Sequence, residues 1–466
     1  MAEDGNTGTA PPRALKRSMR IVGALLLTLS GVTPASSVYV IVPGVIQLAG
    51  TGAFLSMAAA GLLSVPIAYV YAELSSAFPI AGGEYSMMGR TLGPAAGFAM
   101  LGLVTAGNML GPAALALGAS VYIGAVVPGL NPTAVAVAIL VLTTLFAVLH
   151  IRINAWVTGA FLLLEILALF VLAGLGFFSI KRPIADLAFH PVALIGNGLH
   201  PAPLAAIGLA TAVALFAYNG YGAAVYFVEE MHDARRLIGP TIMWAVVITV
   251  LTEFIPVTAV LMGAPDLKSL IGSANPFSDF VLGEGGAALN IAISLGVALA
   301  ILNAVLALIL QNARFFFSTG RDCAWHTRIN DAFTLTHVRF HSPWIATLAA
   351  GASALVMCFL GLNVLLVLTG TGVVLYYAGL CVATLAGRMT GSTAHAIYRM
   401  PLFPAMPVIG LLALVYVCYA NWLDPEIGRP SLLANGAVIA VALLYYALVL
   451  RKRGTWELRA PEDDPV

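Results

Sequence analysis

The stretch "SGVTPASSVYVIVPG", Ser30 to Gly44, lies in a run of 52 residues, Ile21 to Ala72, without one charged side chain. A helix crossing lipid gains nothing from Pro34, Thr33, Ser36 and Ser37 clustered near its middle. Two readings stay open on these residues alone. Pro34 kinks a continuous helix, and the hydroxyls patch the freed backbone. Alternatively the helix is broken there, and its bare N–H and C=O groups face a cavity. A half-helix resuming near Val38 would then aim its N–H groups and positive dipole end into that cavity, which suits a carboxylate.

The 466 residues are 60% hydrophobic and only 9% charged, against roughly 25% in a soluble domain. Most of the chain must therefore sit in a bilayer. A net charge of +1 gives no basic surface for nucleic acid, and no partner of that kind is expected. The four cysteines, Cys323, Cys358, Cys381 and Cys418, show no CxxC spacing, so neither a zinc framework nor a disulfide scaffold is expected. No metal site, catalytic residue or cofactor is expected. The segment 1–20 is polar, then basic, without the apolar core and small-residue cleavage site of a signal peptide. It reads as a cytoplasmic tail.

A spanning helix needs about 20 mostly apolar residues. Cutting at charges and at Pro, Gly and Asn turns leaves twelve segments: 21–49, 53–72, 95–128, 132–150, 156–179, 204–228, 240–263, 287–317, 344–361, 363–386, 402–423 and 431–450. With both ends inside, 18 of the 22 Lys and Arg residues fall on the cytoplasmic side; only Lys181, Arg182, Lys268 and Arg429 fall outside. That excess is what cytoplasmic loops carry, and an odd helix count would scramble it. The expectation is an all-α polytopic protein of the cytoplasmic (inner) membrane. Residues 21–450 form one twelve-helix domain between cytoplasmic tails 1–20 and 451–466.

Polar groups at membrane depth are costly and mark function by default. Besides the opening stretch, "LFAYNGYGAAVYFVEE" (215–230) places Phe216, Ala217, Tyr218, Asn219 and Gly220 in a turn-like string inside the sixth segment. A continuous helix with a small packing face is the plain alternative. Ala35-Ser36-Ser37-Val38-Tyr39 also echoes Gly222-Ala223-Ala224-Val225-Tyr226. Interruptions in helices one and six, running in opposite directions, are what a five-plus-five inverted repeat requires. Glu165 is the only charge between Arg152 and Lys181. It must be protonated, paired or ion-bound, or else hydrogen-bonded to a neighbouring helix. Asn108, between Gly107 and Gly111, lines a pocket or bonds across helices. Glu253, near Pro256, has no role assigned by its local sequence.

The segment "AELSSAFPIAGGEYSMMGRTLGPAAGF" (72–98) resembles the signature following helix two in permeases of the amino acid–polyamine–organocation superfamily. "FAYNGYG" with "VEEMHDARRLIGPTI", "NARFFFSTGRDCAWHTRIN…HSPWIA" and "LLVLTGTGVVLYYAGL" are similar to its later motifs, in the expected order. The resemblance spans roughly residues 20–450 and implies a leucine-transporter-like fold. Repeat one would cover about 21–179, repeat two about 204–386, and two peripheral helices about 402–450. It implies substrate binding at the two breaks. Ala35-Ser36-Ser37 stands where many members have Gly-Ser-Gly, so N–H groups of Ser36, Ser37 and Val38 would take a carboxylate. Carbonyls of Thr33, Phe216 and Ala217 would take the ammonium, Phe216 would cover the substrate, and Asn108 would contact it. Two positions depart from the family. Gly222 stands where some members carry an acid, and Glu165 where many carry Lys. Glu165 is thus expected as an ion or proton coupling site.

The function so implied is secondary active transport of an amino acid by alternating access, coupled to protons or to exchange. The alternative is an amine carrier, for ethanolamine or a polyamine, possibly sodium-coupled, with Glu165 near the ammonium. An enzyme is disfavoured: the eight His residues fall in loops or helix ends and form no HxxxH or HExxH spacing. A channel is disfavoured because the polar groups concentrate at two breaks and one carboxylate.

Overall fold

The computed structural model describes residues 19–127, 129–149, 151–340, 342–454 and 456–459; most of the expected tails lie outside them. Helix α1 (Ile21–Val32) ends where Thr33 adopts the left-handed conformation, φ 55° and ψ 66°. Pro34 causes this stop, because it has no N–H for the Ser30 carbonyl and its ring would strike that carbonyl. The helix resumes at once as α2 (Pro34–Ser36), widens into a π-helical turn over Ser37–Ile41 and continues as α3 (Val42–Ala49). It therefore restarts at Pro34, one turn earlier than the sequence suggested, since proline's fixed φ suits a first helical position.

A 3-10 turn over Gly50–Gly52 leads into α4 (Ala53–Ala77). Gly83, at φ 57°, starts the short α5 (Glu84–Leu92), followed by α6 (Pro94–Val126), α7 (Pro132–Ala147) and α8 (Ile151–Phe178). A small α9 (Ile184–Phe189) precedes the hairpin β1 (Val192–Ile195) and β2 (Gly198–Pro201), paired antiparallel with Val192 opposite Pro201. Next, α10 (Leu204–Ala217) ends in a turn with Gly220 at φ 125°, and Tyr221–Glu230 forms a ten-residue 3-10 helix. Such a long 3-10 run is uncommon and marks strain or a hinge.

The remainder comprises α11 (Ala234–Gly263), α12 (Leu267–Gly272), α13 (Pro276–Arg321, kinked at Gly286), α14 (Thr327–Phe333), α15 (Trp344–Met357), α16 (Leu362–Thr390), α17 (Ala405–Leu423) and α18 (Gly428–Tyr445).

Among the described residues, nine helical stretches are long and apolar enough to cross a membrane. The first, Ile21–Ala77, is 57 residues long and contains both α1–α3 and α4; α7 and α15 are apolar but shorter. Large apolar side chains point outward on α8 (Leu163, Leu167, Phe170), α17 (Leu412, Val415) and α18 (Val441, Leu444). An apolar surface of this extent requires lipid around it. The inner faces carry small residues instead. A Cβ added to Gly263 would sit 2.6 Å from the Gly176 carbonyl oxygen, so α8 and α11 pack nearly backbone to backbone. In the apolar window ending the chain, 11% is buried, against 72% in α13, so α18 is peripheral and α13 central.

The 3-10 helix is anchored to α13 by two buried ion pairs, Glu230–Arg314 (3.0 Å) and Glu229–Arg321 (2.9 Å). Breaking a buried pair from one side leaves a bare charge and costs about 3–5 kcal/mol. Arg314→Leu should therefore lower thermal stability in detergent markedly, while Arg314→Leu combined with Glu230→Leu should recover most of the loss. Equal loss in both variants would mean that packing rather than charge pairing holds the two elements.

Candidate functional site

The two helix breaks meet. A Cβ added at Gly220 would lie 2.8 Å from the Val32 Cα, so only glycine lets the second break approach the first. Ser37, in the turn after the first break, donates its hydroxyl to the Ala217 carbonyl (2.9 Å) and to the Val32 carbonyl (3.1 Å). One side chain thus satisfies carbonyls on both sides of the junction.

A cavity of about 100 Å³ lies against this junction. Gly31, Val32, Thr33 and Ser37 line it from the first break; Phe216, Asn219, Gly220 and Gly222 line it from the second. Asn108 contributes from α6, Gln311 and Asn312 from α13, Tyr376 from α16, and Glu84 from α5. Its polar groups are partly held and partly free. Asn219 Oδ1 accepts from the Tyr376 and Tyr377 hydroxyls (2.8 and 2.9 Å), and Asn312 Nδ2 donates to the Asn108 carbonyl (2.6 Å). Asn108 Nδ2 and Gln311 Nε2 have no hydrogen-bond partner among the described residues. Glu84 receives hydroxyl hydrogen bonds from Tyr71 and Tyr226, both at 2.6 Å. Such a concave site with a few fixed polar groups and a few open donors fits a small polar solute.

A model of the amino acid permease family matches residues 20–449. The chain belongs to that family. The permease is 26% identical to the methylthioribose transporter of Bacillus subtilis (strain 168), over 94% of this chain and 95% of the relative. It is 22% identical to the branched-chain amino acid permease BcaP of the same organism, over 97% and 96%. The Asc-type amino acid transporter 1 of Homo sapiens is 24% identical, over 75% and 67%. The relatives named are transporters, not enzymes.

In the permease, the residues singled out in the sequence divide into two groups. Thr33, Ser37, Asn108, Phe216, Asn219 and Gly220 face the cavity. Ala35, Ser36, Val38, Ala217 and Tyr218 are buried but do not line it. The early restart of the helix explains part of this. The Ser37 N–H already bonds the Thr33 carbonyl (2.9 Å), so the N–H groups left by the helix start are those of Ala35 and Ser36.

Glu165 lies behind the break, away from the cavity wall, and receives Asn303 Nδ2 at 3.2 Å. Glu165 is thus not among the residues that line the cavity. At Gly222, where some members carry an acid, a Cβ would strike the Tyr71 ring at 2.7 Å. The carboxylate of the cavity wall is Glu84 instead. Sequence reading missed Glu84, Tyr71, Gln311 and Tyr376. The "GGEY" motif was the available signal for Glu84, but it reads as a cytoplasmic loop until Gly83 turns α5 back toward the cavity.

Gly220→Ala should abolish solute uptake in proteoliposomes while the purified protein still elutes as a single species. Wild-type uptake by this variant would show that the two breaks need not touch.

Proposed function

We propose that the permease is a secondary active transporter that moves an amino acid across the cytoplasmic membrane by alternating access. The observation that carries this reading is the single cavity shared by both helix breaks, since unpaired backbone at membrane depth is tolerated only against protein or such a cavity. The positive end of the restarted half-helix suits a carboxylate, and the unpartnered Asn108 and Gln311 amides offer further donors in the same cavity. Thr33, Ser37, Asn108, Phe216, Asn219 and Gly220 would contact the solute directly; Val38, Ala217 and Tyr218 would support them.

Twelve crossings with both termini inside is the topology that agrees best with these observations. Reading Ile21–Ala77 as two crossings and adding α7 and α15 supports that number. The Lys and Arg excess supports the orientation. Breaks at Thr33 and Gly220, in the first helix of each proposed half, support repeats at about 21–179 and 204–386, with 402–450 peripheral.

A second reading, an amine substrate such as ethanolamine or a polyamine, draws on one observation. Glu84 puts a carboxylate on the cavity wall, and both its oxygens face tyrosine hydroxyls there. Reconstituted protein offered a panel of radiolabelled amino acids and amines separates the two. The account predicts uptake of at least one amino acid, driven by a pH gradient or by internal counter-substrate. Uptake confined to amines would replace it with the second reading, and uptake that ignores every gradient and exchange condition would contradict secondary active transport.

A further inference from the structure

After α18 the chain folds back onto the bundle. A π-helical turn (Tyr446–Leu450) and a short helical turn (Arg451–Arg453) lead to Gly454, whose φ of 62° ends the helix. Residues 456–459 then cross the ends of α5, α6 and α13. The Glu457 and Arg459 N–H groups both point at Asp322, which closes α13. The first donates to its carbonyl (3.3 Å) and the second to its carboxylate (3.1 Å). The Leu458 carbonyl accepts from the Arg90 guanidinium, in the last turn of α5. Alternate residues facing opposite ways is the habit of an extended chain. The Leu458 side chain fits beside Gly89 of α5, where an added Cβ would lie 2.5 Å from Leu458 Cδ1. A Cβ on Gly97 of α6 would lie 2.7 Å from the Gly89 Cα, so α5 and α6 pack nearly backbone to backbone at that point. Trp456, 9% exposed, stands edge-on to Phe98 of α6, with ring centroids 5.3 Å apart.

These contacts bear on the cavity through α5. Glu84, in the first turn of α5, lines the cavity and accepts from Tyr226 of the 3-10 helix. Its neighbour Tyr85 donates to the second Asp322 oxygen (2.8 Å). Asp322 therefore holds the first turn of α5 and residues 457–459 at once, while Arg90 ties the last turn of α5 to the same segment. Moving α5 away from α13 must break both attachments. The seat is not fully satisfied: Trp456 Nε1 and Arg90 Nε are buried without a hydrogen-bond partner among the described residues. Buried donors left unpaired cost free energy, so the segment is held less firmly than its contacts alone suggest. Trp456, Leu458 and Arg459 do not line the cavity, so changes there leave its wall intact.

We propose that residues 456–459 form a releasable strap that holds α5 against α6 and α13 and so keeps the Glu84 wall of the cavity closed on the strap-bearing face. With the strap seated, Arg90, Tyr85 and Asp322 fix α5 at both ends. With the strap released, α5 loses the Arg90 attachment and the Leu458 wedge, and it retains only the Tyr85–Asp322 bond to α13. The cavity then opens toward that face. The strap acts on access and not on solute contacts. Its effect on uptake rests on the transport reading above, but its control of access to the cavity does not.

Two measurements test the strap, both in protein whose four native cysteines are replaced. The first needs no substrate. Gly107→Cys, on the cavity wall, is labelled in oriented proteoliposomes by a membrane-impermeant methanethiosulfonate reagent added to the strap-bearing face. Leu458→Ala and, separately, removal of residues 455–466 should speed that labelling several-fold. An unchanged rate in both variants overturns the proposal. So does a parallel rise at Gly361→Cys, outside the cavity, which would mean general loosening. The second measurement locks the strap. Gly89→Cys and Leu458→Cys together place two thiols across the contact, to be joined by oxidation. The oxidised protein should lose uptake of a radiolabelled mixture of the common amino acids, and dithiothreitol should restore it. Full uptake by the oxidised protein would show that α5 need not part from the strap, and would overturn the proposal. Absence of any amino acid uptake in wild type, with the labelling as expected, would overturn the transport reading alone.

Discussion

The contact of Gly220 with Val32, closed by the Ser37 hydroxyl, is the constraint on which the rest of the permease depends. Backbone groups released in hydrocarbon cost several kcal/mol each unless something satisfies them. Here two interrupted helices satisfy one another. Thr33 holds a left-handed conformation that disfavours a β-branched residue, a strain on the order of 1–3 kcal/mol. Surrounding packing must hold it in place. The strain thus sits at the junction, directly against the cavity.

The 72–98 signature has a physical explanation in this arrangement. Glu73 takes a two-pronged contact from Arg388 (2.6 Å to each oxygen) and the Met400 amide. Glu84 gathers Tyr71 and Tyr226, and Tyr85 donates to Asp322 (2.8 Å) at the end of α13. The segment thus ties α4 and α5 to the 3-10 helix, to α13 and to α16. Its acidic and aromatic residues are latch points between elements that the chain separates by hundreds of positions. The "VEE" exit of the second break serves the same layer, through Glu229–Arg321 and Glu230–Arg314.

Much of this was legible in the sequence because the bilayer leaves few options. The absence of charge from Ile21 to Ala72, the Lys and Arg asymmetry, and the Pro34 and Gly220 interruptions each follow from one rule about polar groups in lipid. Two features were not legible, for reasons of geometry. Proline's preference for a helix start moved the restart of helix one from near Val38 to Pro34. The left turn at Gly83 brought Glu84 to the cavity wall.

The central claim is that solute binds where the two breaks share a cavity. Gly107 lines that cavity with open space around it, so a side chain fits there without disturbing the helix. In a variant whose four native cysteines are replaced, Gly107→Cys is labelled by a methanethiosulfonate reagent with and without an equimolar mixture of the common amino acids. Gly361→Cys, at an open position outside the cavity, serves as the control. The account predicts that the mixture slows labelling at 107 and leaves 361 unchanged. Equal labelling at 107 with and without the mixture, in protein that takes up an amino acid, would place the site elsewhere.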